Sequence, residues 1–108
     1  LLQTYPEIDA VLACNDEMAL GAIEALDAAG RLEGTIVSGF DGNSDALKAV
    51  ESGRMLVTMF QNAPAQAGDA VQALLDYLAG KPVEERIQTE GVLIDSSNVS
   101  EFTQYIQQ

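Results

Sequence analysis

The stretch AVLACNDEMALGA, residues 10–22, carries the two signals that decide the fold. An apolar run ends at Asn15-Asp16-Glu17, and apolar residues then return at helical spacing. A short apolar run followed by an amphipathic segment is typical of a β-strand that leads directly into an α-helix. The three polar residues therefore mark a strand-to-helix junction.

The same order of elements recurs along the chain, with a turn signal at nearly every junction. The pattern predicts strands at 9–14, 35–40, 55–60 and 91–94, and helices at 16–29, 43–52 and 65–78. Asn98 and Glu101 resemble a capping box for a last helix that runs through Ile106, and residues 1–4 resemble the end of a helix stopped by Pro6. In the third helix, we expect one apolar face to point inward: Ala67, Val71, Leu74, Leu75 and Leu78.

This alternation predicts an α/β fold. Strands joined by helices imply right-handed crossovers and a mostly parallel sheet with helices on both faces. The chain has 108 residues, which fits one domain or part of one.

The composition excludes several classes of partner. Lys and Arg total 5 against 17 Asp and Glu, so the formal charge of −12 would repel nucleic acid and anionic membranes. No apolar run approaches the roughly 20 residues that cross a bilayer. A single cysteine excludes an internal disulfide, and the lack of histidine removes the commonest general base and metal ligand.

Polar side chains end three of the predicted strands, namely Asn15, Asp41 and Gln61. In a parallel sheet these ends share one edge, the carboxyl edge, where open α/β sheets bind ligands. Planar amide and carboxylate groups suit the hydroxyls of a polyol. Phe40 beside Asp41 offers an apolar face for the C–H side of a sugar. The sequence therefore predicts a site for a neutral carbohydrate.

Plainer roles remain open for some of these polar residues. Asn15 or Asp16 would serve equally well as a cap for the first helix, and Glu17 suits the positive end of the helix dipole. Cys14 is expected to be a small packed residue, with a partly exposed thiol as the alternative.

The stretch DGNSDA, residues 41–46, partly matches a calcium-binding loop. Ala46 replaces the required glycine and Ser52 the bidentate glutamate, so capping of the second helix by Ser44 or Asp45 is the simpler interpretation. We predict no metal, no cofactor and no catalytic residues. An enzyme that uses Asp41 as nucleophile or base is an alternative, but it lacks a phosphate loop and a metal partner.

Three segments together resemble the C-terminal part of periplasmic sugar-binding proteins of ABC transporters, of the ribose-binding type. They are NDEMALGAIEAL, VSGFDGNSDALKAVESGRM and VTMFQNAPAQAGDAVQALLDYLAGK. The resemblance implies that Asn15, Asp41 and Gln61 hydrogen-bond a sugar and that Phe40 forms an apolar wall. It also implies two lobes that close over the sugar, a membrane permease as partner and a periplasmic or extracellular location; no signal peptide is visible in the chain.

The resemblance divides the chain into three parts. Residues 1–61 would be a partial C-terminal lobe, residues 62–95 would cross a hinge into the other lobe, and residues 96–108 would form a C-terminal helix. Because the first lobe is absent, the chain alone is expected to bind sugar weakly or not at all and to have a surface for self-association. The effector-binding core of a LacI-type transcription repressor is the alternative, although such repressors commonly carry an Asp where this chain has Gly42.

Overall fold

The computed structural model describes residues 1–105, in which strands and helices alternate as predicted. The elements are β1 (Ala10–Leu12), α1 (Asp16–Ala28), β2 (Ile36–Ser38), α2 (Ser44–Glu51), β3 (Thr58–Phe60), α3 (Ala63–Leu78), β4 (Val92–Ile94) and a 3₁₀ helix (Val99–Tyr105). Each strand is shorter than predicted, and Ile106 lies outside the described residues. Among the described residues, no helix has the length and apolar character needed to cross a bilayer.

The first three strands run in the same direction. β1 and β2 pair in parallel, with Ala10 opposite Ile36 and Leu12 opposite Ser38. Parallel bridges join Ser38 to Val57 and Asp41 to Phe60, which extends the arrangement to β3, and β3 in turn pairs with β4. The carboxyl ends of β1, β2 and β3 therefore lie at one edge.

The described residues form two compact units, one made of residues 1–60 with the chain from Leu93 onward, and one of residues 61–92. The core belongs to the first unit, where α1 and α2 contact each other and the strands. The strands lie in the order β1, β2, β3, so two crossovers of the usual right hand would place α1 and α2 on the same face, in agreement with their contact. Side chains that are almost fully buried there include Ile23, Leu26, Val37, Leu47, Val50 and Met55. The alternate strand positions Leu12 and Ile36 stay 82% and 52% exposed.

The second unit holds α3, and it corrects one prediction. No residue of α3 is buried, and the face expected to point inward is exposed: Val71 59%, Leu74 57%, Leu75 55% and Leu78 72%. One helix and the segment that follows it do not supply enough surface to bury an apolar stripe. The assignment of residues 62–95 to another lobe stays a prediction.

The helix ends show how local hydrogen bonding differs from the predicted caps. The cap of α2 is Asn43, whose Oδ1 accepts hydrogen bonds from the amides of Asp45 (3.1 Å) and Ala46 (2.8 Å), so the prediction of Ser44 or Asp45 is wrong. α3 begins two residues earlier than predicted. Asn62 caps it from a left-handed conformation with φ of 53°, and a proline occupies the first turn.

The predicted capping box at Asn98 is also wrong. The Asn98 side chain bonds backward along the chain: its Oδ1 accepts from the Asp95 amide at 2.9 Å and its Nδ2 donates to the Leu93 carbonyl at 2.9 Å. The Glu101 amide donates instead to the Asn98 carbonyl at 3.0 Å. The segment forms a 3₁₀ helix because its first turn closes on backbone bonds of this shorter kind.

Candidate functional site

Asn15 connects β1 to α1 and caps the helix. Its backbone is extended, and its Oδ1 accepts a 2.9 Å hydrogen bond from the amide of Met18. Asn15 therefore caps α1, and this hydrogen bond uses the Oδ1 atom of its side chain. The Nδ2 amino group is the end that can donate to a ligand.

Asp41 follows β2 in an unusual backbone conformation. Its φ is +132°, a region that non-glycine residues rarely adopt. The amide donates to the Met59 carbonyl at 2.9 Å, and the residue bridges in parallel to Phe60. Such strain persists where surrounding contacts over-determine the backbone, and it clusters at ligand sites. The neighbouring Phe40 is 42% exposed, so it offers an apolar surface at the same edge.

Two glycines flank this pair for different steric reasons. A Cβ on Gly39 would clash with Oδ1 of Asp16. A Cβ on Gly42 would lie 2.7 Å from the Cα of Phe60, and its φ of +74° also favours glycine. The segment Gly39-Phe40-Asp41-Gly42 therefore fits closely between α1 and β3.

Asp16 has a buried role that its position in the sequence does not reveal. Its side chain is 0% exposed. Its Oδ2 accepts from the Asn43 amide at 2.8 Å and its Oδ1 accepts from the Thr58 hydroxyl at 2.6 Å. An acid in the first turn of a helix is common for electrostatic reasons, so position in the sequence did not distinguish this buried role from an exposed one.

Gln61 directly follows Phe60 and is the first residue of the second unit. It is partly buried, and its backbone carbonyl accepts a 2.6 Å hydrogen bond from Nε2 of Gln66. The structure thus brings Asn15, Phe40 and Asp41 to the carboxyl edge of the first unit and describes Gln61 within the second. Their roles in binding stay predictions.

The remaining polar candidates have structural roles. Glu17 accepts a 3.1 Å hydrogen bond from Nδ2 of Asn43, and Asp45 forms a 2.8 Å ion pair with Lys48. Over residues 1–105, no three His, Cys, Asp or Glu side chains are grouped to hold a metal. Cys14 is exposed, so its prediction as a packed residue is wrong; β1 ends two residues earlier, and the thiol lies in the connection.

Each of the two units also contains a concavity. One of about 440 Å³ lies at the amino ends of β2 and β3 and is lined by residues that include Thr35, Val37 and Arg54. Another of about 390 Å³ lies in the second unit, where Asp69 and Arg86 are among its lining residues. They provide reference surfaces against which binding at the edge can be judged.

Comparison with known proteins identifies the family. Residues 1–82 match the family model described as periplasmic binding protein domain. The chain belongs to this family. That match and the structural likeness below confirm both the α/β class and the resemblance.

Two curated relatives and one solved structure illustrate the likeness. The chain is 42% identical over 97 residues to a putative rhizopine-binding protein of Rhizobium meliloti, covering 89% of this chain and 31% of that protein. It is 44% identical over 87 residues to a ribose import binding protein of Bacillus subtilis, covering 81% and 28%. A solute-binding protein of an ABC transporter from Bacillus halodurans, solved with myo-inositol, superposes with a TM-score of 0.90 and 41% identity over 96% of this chain and 36% of that one. The chain spans about a third of the length of these relatives.

Proposed function

We propose that the chain is the C-terminal part of the solute-binding component of a sugar ABC transporter, which holds a monosaccharide or a related polyol between two lobes. The observation that supports this most is the parallel pairing of β1, β2 and β3, whose carboxyl ends carry Asn15, Asp41 and Gln61. The names of the relatives, which specify rhizopine, ribose and myo-inositol, agree with a small polyhydroxylated ligand.

The proposed contacts follow from the donor and acceptor groups of the three side chains. Asn15 donates through Nδ2, since its Oδ1 accepts from the Met18 amide. Asp41 accepts from two hydroxyls, and Gln61 both donates and accepts. A hydroxyl can do both, whereas a phosphate monoester carries a charge of about −1.5 to −2 at pH 7 and mainly accepts. Phe40 packs against the C–H face of the ring. This set therefore selects neutral polyols over anions.

A transport role is favoured over the alternatives. The relatives reported above are import and solute-binding proteins, which favours a periplasmic location and a membrane permease as partner over the effector-binding core of a LacI-type repressor. The same names describe binding proteins and not enzymes, so we propose ligand capture without chemical change.

The test is calorimetric titration of the full-length, two-lobed protein with neutral pentoses, hexoses and inositols, including D-ribose and myo-inositol. Ribose 5-phosphate is the matched control because it keeps the sugar ring and adds an anion. The proposal predicts saturable binding of at least one neutral polyol and no binding of the phosphate. The proposal would be contradicted if no neutral polyol bound, or if ribose 5-phosphate bound more tightly than the neutral polyols.

A further inference from the structure

We propose that Asp16 is a positioning residue for ligand binding: its buried carboxylate holds the segment 39–43 in the conformation that presents Asp41. This inference rests on the proposed function, because it assigns a role within the same site. Asp16 itself makes no contact with the ligand, since its side chain is 0% exposed.

The first argument is that Asp16 bonds to the segment 39–43 on both sides of Asp41 and to the neighbouring strand β3. Its amide donates to the Phe40 carbonyl at 2.8 Å, and its Oδ2 accepts from the Asn43 amide at 2.8 Å. Its Oδ1 accepts from the hydroxyl of Thr58 on β3. Hydrogen bonds of Asp16 therefore fix the segment on both sides of Asp41 and connect it to the neighbouring strand β3.

The second argument is that the partner of Asp16 also bonds to this segment. The Thr58 Oγ1, which donates to Asp16 at 2.6 Å, accepts from the Gly42 amide at 3.3 Å. Asp41 thus lies between Gly42, held through Thr58, and Phe40, whose carbonyl accepts from the backbone amide of Asp16, while the Asp16 carboxylate holds the amide of Asn43. Asp41 has a φ of +132°, and a backbone in such a conformation persists where surrounding contacts hold it in place. The hydrogen bonds on both sides of Asp41 are contacts of this kind.

The third argument concerns the cost of burial. Among residues 1–102, whose burial the structure describes, the buried polar or charged side chains are Asp16 and Thr58, and they bond to each other. A buried carboxylate is expensive, and a well-packed apolar group of similar volume is often as stable or more so. Stability alone therefore does not explain why Asp16 and Thr58 are buried together. Holding the segment 39–43 in its conformation does explain it.

The test compares three variants of the full-length protein: Asp16→Asn, Thr58→Val and Thr58→Ser. Asparagine keeps the size of Asp16 but replaces one acceptor with a donor, and valine keeps the shape of threonine without the hydroxyl. Serine keeps the hydroxyl and is the matched control. Two readouts are taken where each variant is fully folded by circular dichroism. They are the affinity for the polyol that the wild type binds and the amide hydrogen exchange of Gly42 and Asn43 without ligand, with the Leu47 amide of α2 as reference.

A positioning role predicts that Asp16→Asn and Thr58→Val each weaken affinity about tenfold or more, the loss expected for one hydrogen bond to a charged group. Exchange at Gly42 and Asn43 speeds up while exchange at Leu47 does not, and Thr58→Ser behaves like the wild type. A purely structural role lowers the melting temperature but leaves affinity and local exchange unchanged in the folded protein.

Affinity within twofold of the wild type in either folded variant overturns the inference, as does a loss in Thr58→Ser equal to that in Thr58→Val. If Asp16→Asn does not fold, the two Thr58 variants still decide the matter. A wild-type protein that binds no polyol contradicts the proposed function, and the exchange data then decide separately whether Asp16 and Thr58 hold the segment.

Discussion

The Thr58 hydroxyl donates a 2.6 Å hydrogen bond to Oδ1 of Asp16, a residue 42 positions earlier in the chain. This bond joins β3 to the first residue of α1. Both side chains are fully buried, and Gly39 leaves the space that the carboxylate occupies. The buried pair of Asp16 and Thr58 therefore supports the residues at the carboxyl edge.

The strained backbone of Asp41 leads to the first prediction. Asp41→Gly and Asp41→Ala each remove the carboxylate, so in the full-length protein both should weaken polyol affinity about 100-fold, as expected for two hydrogen bonds to a charged group. Their stabilities should differ, because glycine adopts φ of +132° without strain and alanine does not. We expect Asp41→Gly to be the more stable by about 1 kcal/mol in urea unfolding.

This pair of variants separates binding from strain. Equal stability would show that the backbone at Asp41 is not strained. Unchanged affinity in both would remove Asp41 from the ligand site.

The second prediction concerns the space beside Asp16. A Cβ at Gly39 would clash with Oδ1 of Asp16, so Gly39→Ala should lower the free energy of unfolding by about 1–3 kcal/mol. Gly21 is the matched control, because it lies in α1 and has nothing within 4 Å of its Cβ position. Gly21→Ala should raise stability by about 0.5–1 kcal/mol. Urea unfolding of the 108-residue chain checks both, and destabilisation by both variants to the same degree would contradict the steric explanation.

The exposed face of α3 leads to the third prediction. Leu74 and Leu75 are 57% and 55% exposed, beside other exposed apolar residues of the same helix. Exposed apolar surface of this kind drives association, so the sedimentation coefficient of the 108-residue chain should rise with its concentration. Leu74→Glu with Leu75→Glu should reduce the rise. Gln72→Glu adds one negative charge, against two in the double variant, at a polar, exposed position of α3 and should leave the rise unchanged. A reduction half as large as that of the double variant would point to net charge as the cause.

The fourth prediction concerns acid. Hydrogen bonds from the hydroxyl and the amide of Ser97 hold the pKa of Asp95 below its ordinary value of 3.8. Since the folded pKa is the lower one, the ionised carboxylate stabilises the fold above the unfolded pKa, and this contribution is lost as the pH falls through the folded pKa. Ser97→Ala should move the pKa of Asp95 upward, measured by carbon NMR of its carboxyl group. An unchanged pKa would contradict the assigned cause.

Much of the fold could be predicted because strand and helix periods are local. The order of all strands and helices followed from apolar spacing, and glycines such as Gly30 and Gly53 marked helix ends. The burial of α3 could not be predicted in this way. An apolar stripe shows that a helix can be buried, but the surface that buries it comes from elsewhere in the chain.

The candidate site was predictable to a similar extent. The parallel direction of three strands brought Asn15 and Asp41 to one edge, as expected from their positions after β1 and β2. The buried pair Asp16 and Thr58 could not be found, because their hydrogen bond joins residues far apart in the sequence. The cap at Asn43 was missed for a smaller reason, since Ser44 and Asp45 are equally good caps by residue type.

The most direct test of the central claim is an NMR titration of the full-length protein with the polyol that it binds, following the side-chain amide signals of Asn15 and Gln61 and the backbone amide of Asp41. The account predicts that these signals shift together and saturate at one common affinity. Shifts confined to the surface around Asp69 and Arg86, or around Thr35 and Arg54, with none at the carboxyl edge would contradict it.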